Sequence, residues 1–374
     1  MKSQKQGKMI VFILGNGFDL AHGLKTRYTD FLAACCEEEL QKNIWFKHFN
    51  EKQKEIGANW FNLEEEIYNV IIEKRNKVNS QVICEMLNGS VTHNLHENLT
   101  LHEFFKQHVI SRQRSETEDD FSFSDLTIKE KKTINEKKTI KEAKELHDSL
   151  RFFVDQFGEY LSEQLKKPDL LTQKTEFLDF LEKDILKEYN KIRVVNFNYT
   201  NTFERLYGEY LKNKGIIDIT YYHIHGSLNK NNLVLGTKNL SDKYKNNPFR
   251  IFTKEYQRLH YGTNNENYNN FLDELEETNR KSITFRIIGH SLNEVDHKIL
   301  NKILCYSGSE GNRGDIKIYR YDDNEDFEIQ KNIEEIIKCS CEERVYLTPL
   351  ETIIDDESAE EIKEFSCEVR ELLL

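Results

Sequence analysis

The sequence predicts an α/β fold, a Rossmann-like parallel sheet interrupted by a large helical insertion. Three observations carry this expectation: five short apolar runs, a glycine turn closing the first of them, and a stretch from about residue 30 to 190 with no strand pattern.

The first run, Met9 to Leu14, is apolar at every position, which suits a strand covered on both faces. Gly15 and Gly17 then stop it abruptly. Four later runs have the same short, β-branched or aromatic character: Ile192 to Phe197, Ile219 to Ile224, Thr284 to Ile288 and Asp315 to Tyr319. Helical stretches separate most of them, as in a parallel sheet with crossover helices. In the long gap, apolar residues recur at helical spacing in Phe152, Phe153, Phe157, Tyr160, Leu161 and Leu165. The expected division is a Rossmann-like nucleotide-binding domain from 1–30 and 190–374, with residues 31–189 as the insertion.

Within the insertion, segments beginning at Ile128, Ile134 and Ile140 form a charged six-residue near-repeat. Six residues advance a helix by about 240°, so these isoleucines line no single face. The segment reads as a solvated helix or connector, with a partner-binding arm as the other reading. The acidic run Glu116 to Asp120 reads as a surface loop.

Among 374 residues, 65 Asp and Glu outnumber 53 Lys and Arg, and the formal charge of -12 disfavours a protein that coats nucleic acid. Basic segments at Arg112 to Arg114 and Lys129 to Lys144 are the only hints of such a partner. The 2 Trp, 17 Tyr and 23 Phe provide large burying surfaces despite a hydrophobic fraction of 38%. The 7 cysteines form no paired C-x-x-C hairpins and no regular disulfide framework, so reduced thiols are expected. No segment reaches the roughly 18 apolar residues needed to span a bilayer, and Met1 to Lys8 is polar. A cytoplasmic location without membrane attachment is the expectation.

Four elements at strand ends can carry chemistry. In Gly15-Asn16-Gly17-Phe18-Asp19, the glycines let the backbone turn and approach a ligand, and amides at a following helix start favour phosphate. Residue 20 is Leu, so the G-x-G-x-x-G dinucleotide fingerprint is incomplete, and a purely structural turn stays open. Asp19 would suit ribose hydroxyls or a water, or simply the helix dipole. Asn196-Phe197-Asn198-Tyr199-Thr200-Asn201-Thr202 places three amides at a strand's carboxyl end, the edge where open α/β sheets hold ligands. Helix capping by Thr200 or Thr202 is the alternative. In His223-Ile224-His225-Gly226-Ser227, strand alternation puts both histidines on one face. No cysteine or carboxylate cluster completes a metal set, so no metal is expected, and His225 reads better as a general base with a pKa near working pH. Gly289-His290-Ser291 again offers amides and a hydroxyl, with Asn293 or Asp296 beginning a helix. It is not a hydrolase elbow, since residue 293 is Asn where that motif needs Gly.

Taken in order, Gly15-Asn16-Gly17-Phe18-Asp19-Leu20, Asn198-Tyr199, His225-Gly226-Ser227 and Gly289-His290-Ser291-Leu292 resemble the AbiH family of phage abortive-infection proteins, and more distantly the sirtuin-like NAD-hydrolysing domains. Trp60 and Glu64 to Glu66, inside the insertion, fit the same pattern. The resemblance implies a sheet of sirtuin-like type and an antiphage defence protein. It implies NAD as substrate or ligand, held by Gly15, Asn16, Gly17, Phe18, Asp19, Gly226, Gly289, His290 and Ser291. It also implies ribose and water binding by Asn198 and base catalysis by His225. Thr200 stands where the sirtuin pattern has an acid, and Asp19 and Asp296 are the candidates to supply that charge. The cysteine zinc module of sirtuin deacetylases is absent. Hydrolysis of NAD to nicotinamide and ADP-ribose is therefore the expected activity, with a non-catalytic nucleotide-sensing module as the alternative. A phage-derived trigger or partner protein and a homo-oligomer are the expected regulators.

Overall fold

Met9–Leu14 (β1) is buried at all six positions and lies inside a sheet, paired on both edges. The computed structural model describes residues 8–35, 38–56, 62–86, 121–167, 171–240, 247–263, 266–278, 282–305, 316–320, 326–337, 344–349 and 363–366. After β1 come α1 (Asn16–Ala21), α2 (Tyr28–Ala34), α3 (Glu38–Lys42), α4 (Ile44–Ile56), α5 (Leu63–Met86), α6 (Phe121–Gln164) and α7 (Thr175–Phe180). The chain then alternates through β2 (Lys191–Asn196), α8 (Thr202–Asn213), β3 (Asp218–His223), α9 (Lys254–His260), α10 (Glu266–Glu277), β4 (Ile283–Ile288), α11 (His297–Leu304), β5 (Ile316–Arg320) and α12 (Asp326–Ile337). It closes with β6 (Arg344–Pro349) and β7 (Lys363–Ser366).

The seven strands lie in the order β3-β2-β1-β4-β5-β6-β7. The first six are parallel and β7 is antiparallel to β6. The order 3-2-1-4-5-6 is that of the doubly wound Rossmann sheet. Each of the five expected strands is present within a residue of its predicted bounds, and β6 and β7 are additional. Two apolar layers cover the sheet. Val11, Ile13, Phe285 and Ile287 face α10, α11 and α12 through Phe271, Leu300 and Ile333. Ile10, Phe12 and Val194 face Phe177, Leu181, Phe203 and Tyr207 on the other side. The uninterrupted hydrophobicity of β1 thus has a direct cause: neither face meets water. Buried Arg193 on β2 is matched by Glu274 at 2.7 and 2.8 Å and by Asp218 at 2.6 Å.

Between β1 and β2 the described residues are helical, with no strand. Phe31, Trp45, Phe46, Phe49, Ile67, Phe153 and Phe157 form a second core, shared with Tyr199, Leu233, Leu235 and Phe252 from connections after β2 and β3. Asn43 fixes the start of α4, accepting from the amides of Trp45 and Phe46 at 3.0 and 3.1 Å and donating to the Ser149 carbonyl at 2.8 Å. The Trp45 indole donates to the Leu146 carbonyl at 2.9 Å. The packed stripe of α6 runs through Ala143, Leu146, Leu150, Phe153, Phe157 and Leu161, whereas Ile140 of the charged repeat is 54% exposed. The repeat is therefore helical with its last isoleucine in water; the side chains of 121–138 lie outside the described residues, as do Arg112 to Arg114, the acidic run 116–120 and Trp60. Among the described residues no helix is long and apolar enough to cross a membrane.

Candidate functional site

The crevice of a doubly wound sheet opens where the strand order reverses, here between the carboxyl ends of β1 and β4. The turns leaving these strands are stitched together. Gly15 N donates to Ile288 O at 3.0 Å, Gly17 N to Gly289 O at 2.8 Å, and Gly289 N to Tyr319 O at 2.8 Å. A Cβ on Gly15 would lie 2.5 Å from Gly289 O and His290 Cα. Gly289 has φ +60°, and a Cβ there would collide with Phe18 N and Gly17. These glycines are needed first to bring turn against turn, and the Gly17 and Phe18 amides are engaged by Gly289 O and Gly15 O.

Over this crevice lies a cavity of about 290 Å³, close to the lower end of small-molecule sites. Nine of the sequence-predicted residues line it: Gly15, Asn16, Gly17, Asp19, Asn198, His225, Gly289, His290 and Ser291. Two others lie elsewhere. Phe18 is fully buried among Phe177, Phe203 and His22, because the turn carries it towards the helical layer under the sheet. Gly226 has φ +83° and borders a separate cavity of about 60 Å³, close against Asn232 O. His223 lines that second cavity and His225 the first. The expected shared face of the two histidines is lost because β3 ends at His223 and the chain turns before His225.

The loop after β2 is braced by its own amides. Asn196 Oδ1 accepts from Asn198 N at 2.9 Å, and Asn196 Nδ2 donates to Thr200 O at 2.7 Å. Asn198 Nδ2 reaches Gly15 O at 2.9 Å, tying this loop to the β1 turn. Thr200 donates its hydroxyl to Asp19 Oδ2 at 2.5 Å, and Asp19 Oδ1 is buried with no partner among the described residues. Burial pushes Asp19 up to about 6, against the opposing hydrogen bonds of Thr200 and Thr202. The carboxyl group that Thr200 lacks is thus present beside it.

His225, Lys254, Asp296 and Glu64 converge on one wall. His225 Nε2 lies 3.0 Å from Asp296 Oδ1 and 3.2 Å from Lys254 Nζ. Lys254 Nζ also donates to Asp296 Oδ1 and Oδ2 at 3.1 and 3.3 Å, and pairs with Glu64 Oε1 at 2.6 Å. Nε2 cannot serve both neighbours: with the imidazole proton there it donates to Asp296, the nearer group, and the Lys254 ammonium spends its protons on Asp296 and Glu64 instead of on the ring. Nδ1 then carries the free lone pair. Burial opposes ionisation of Asp296, but Lys254 and His225 outweigh it and hold the carboxyl far below its usual range. Burial would lower Lys254, yet Asp296 and Glu64 hold it above its ordinary value. Burial and the Lys254 charge keep His225 neutral. Burial lifts Glu64 to about 7 even with Lys254 pulling it down.

His290 has a different role. Its Nδ1 accepts from Leu292 N at 2.9 Å, placing its proton on Nε2, and its ring meets Phe197 edge-on at 4.4 Å. Burial lowers it to about 4, so it stays neutral. The contact holds Leu292 in the left-handed region at φ +55°, a strained position for a branched residue.

Sequence reasoning missed Lys254, which opens α9 in an unremarkable Lys-Glu-Tyr-Gln-Arg run. Glu64 was marked only through the family resemblance, as one of three consecutive glutamates at the start of α5 with no role assigned.

The fold and this cavity define a Rossmann-like α/β protein whose switch crevice is walled by buried ionisable groups. The family model for Bacteriophage abortive infection AbiH matches residues 11–311, and the chain belongs to the AbiH family. Its setting is phage defence by abortive infection. No curated protein matches the chain significantly.

Proposed function

We propose that the chain hydrolyses the N-glycosidic bond of NAD through a sirtuin-like pocket, giving nicotinamide and ADP-ribose. The observation that carries the reading is the His225–Asp296 pair, set in the cavity wall at the switch crevice with Asn198 and the β1 turn opposite. Breaking this bond develops positive charge on the ribose, and the nicotinamide of NAD is itself cationic. Asp19, Glu64 and Asp296 oppose Lys254 and half-buried Arg27 around the cavity, a balance that tolerates such a cation. Asp296 fixes the His225 tautomer so that Nδ1 can take a proton from a ribose hydroxyl, while the Asn198 amide, anchored to Gly15 O, positions the sugar. In this reading the nicotinamide riboside end would fill the cavity, with Asn16 and Ser291 of its lining turned to the phosphates.

In a defence setting such an activity must be silent until infection, so a phage-derived trigger or a change of oligomeric state acting through the helical insertion belongs to the proposal. The test is the purified chain with NAD, with and without lysate of phage-infected cells, assayed by chromatography for both products. Turnover is expected in the wild type, with losses of about 100-fold or more in His225→Ala and Asn198→Ala. Unchanged turnover in both variants removes this cavity from consideration. Calorimetric NAD binding with no product under either condition would favour a nucleotide-sensing module instead.

A further inference from the structure

Of the three glutamates that begin α5, only Glu64 is turned into the cavity. Glu65 is exposed, and Glu66 pairs with His48 at 3.1 Å. Glu64 Oε1 is taken by Lys254 at 2.6 Å, but Oε2 has no hydrogen-bond partner among the described residues and is not sealed from solvent. The other candidate proton acceptors in this wall are differently engaged. Asp296 receives Lys254 on both oxygens and His225 on one, which makes it a stable anion and a weak base. His225 spends its Nε2 proton on Asp296, leaving Nδ1 as its only free nitrogen.

We propose that Glu64, supplied by the helical insertion, accepts the proton of the attacking water, with Lys254 fixing its carboxylate over the cavity. This rests on the hydrolytic reading above and divides its proton transfers: His225 serves the ribose hydroxyl and Glu64 the water. In the step, the bond between ribose C1′ and the pyridinium nitrogen breaks, and its electron pair neutralises the departing nicotinamide. Water oxygen bonds to C1′ as Glu64 Oε2 takes one of its protons, which then passes to solvent, and the proton held by His225 Nδ1 returns to the ribose hydroxyl. Glu64 is faced by Lys254 from α9, Asp296 from the loop after β4, Tyr199 from the loop after β2 and Tyr28 from α2, with His225 from the turn after β3 on the far side of the contact with Lys254. Burial among these groups leaves it titrating at about 7, where a carboxylate is an effective base, while Asp296 stays ionised.

The test compares wild type, Glu64→Gln and Glu64→Ala in NAD turnover from pH 5.5 to 9, each with and without lysate of phage-infected cells, with ADP-ribose affinity measured by calorimetry on each purified protein. The expected wild-type kcat rises with pH through a limb near 7. Glu64→Gln is expected to lose about 100-fold or more in kcat and the limb with it, while ADP-ribose affinity stays within about twofold. Added formate is expected to restore part of the Glu64→Ala turnover, a rescue that a merely structural role would not allow. Retention of kcat or of the pH limb in Glu64→Gln overturns the assignment and leaves NAD hydrolysis standing. Parallel loss of ADP-ribose affinity and turnover, without formate rescue, also overturns it. A wild type that never releases nicotinamide fails the hydrolytic reading, and this inference falls with it.

Discussion

Replacing Lys254 with Met removes one charge from the centre of the buried cluster and keeps most of the side chain's packing. In the native protein the ammonium lies 3.1 and 3.3 Å from the Asp296 oxygens and 2.6 Å from Glu64 Oε1. Breaking a buried pair from one side costs about 3–5 kcal/mol, because the remaining charge is left without a partner. Glu64 already titrates at about 7 and escapes part of this penalty by taking up a proton. Asp296 has no such escape at high pH, so the lower end of the range, about 3 kcal/mol, is expected at pH 8. Acidification brings a substitute cation: freed from Lys254 repulsion and still facing Asp296, His225 gains a proton more readily. The penalty should therefore shrink by pH 6. Urea unfolding followed by tryptophan fluorescence at the two pH values measures both effects. A loss below about 1 kcal/mol at pH 8, or the same loss at both pH values, would refute the account of Lys254 as the charge that holds the cluster together.

Gly289→Ala is expected to destabilise by at least about 2 kcal/mol, combining a left-handed backbone penalty with a collision against Phe18 N and Gly17; the denaturation midpoint at unchanged m-value checks it. Asp19 titrates at about 6 in the fold against an ordinary value of 3.8, so the native state holds its proton more tightly and this residue's contribution to stability falls as pH rises between these values. Asp19→Asn should flatten that decline, and a difference curve against wild type with no slope between pH 4 and 6 would contradict it.

The sheet was largely legible because parallel strands buried on both faces leave uninterrupted apolar runs. β6 and β7 escaped for the same physical reason in reverse. Arg344–Pro349 offers only a short apolar core, and Lys363–Ser366, antiparallel at the edge, carries two charged residues in four. At the site, Asn198, His225 and Gly289 were legible because each follows a strand, and strand ends converge in any sheet of this order. Phe18 and Gly226 were misplaced by the same logic: adjacency in sequence to a cavity residue does not decide which way a turn directs the next one. Lys254 was invisible because its partners lie on three separate elements, and nothing in its neighbourhood marks a helical lysine as buried. Asp296 was recognised as a possible charge, yet its pairing with His225 across 71 residues is purely tertiary.

β1, an interior strand, is made before the two strands that flank it. Residue Met9 pairs with Lys191 on one side and Ile283 on the other. At about 5–20 residues per second, a ribosome needs on the order of tens of seconds to supply both neighbours. Until β2 is made, Met9–Leu14 is an uncharged apolar segment with two unpaired edges, and one edge stays open until β4 follows; such a sequence associates with other chains unless shielded. The cavity wall is completed later still, since His290 and Asp296 follow β4. A nascent chain is therefore without its pocket until Asp296 has been translated, long after the β1 turn that also lines it.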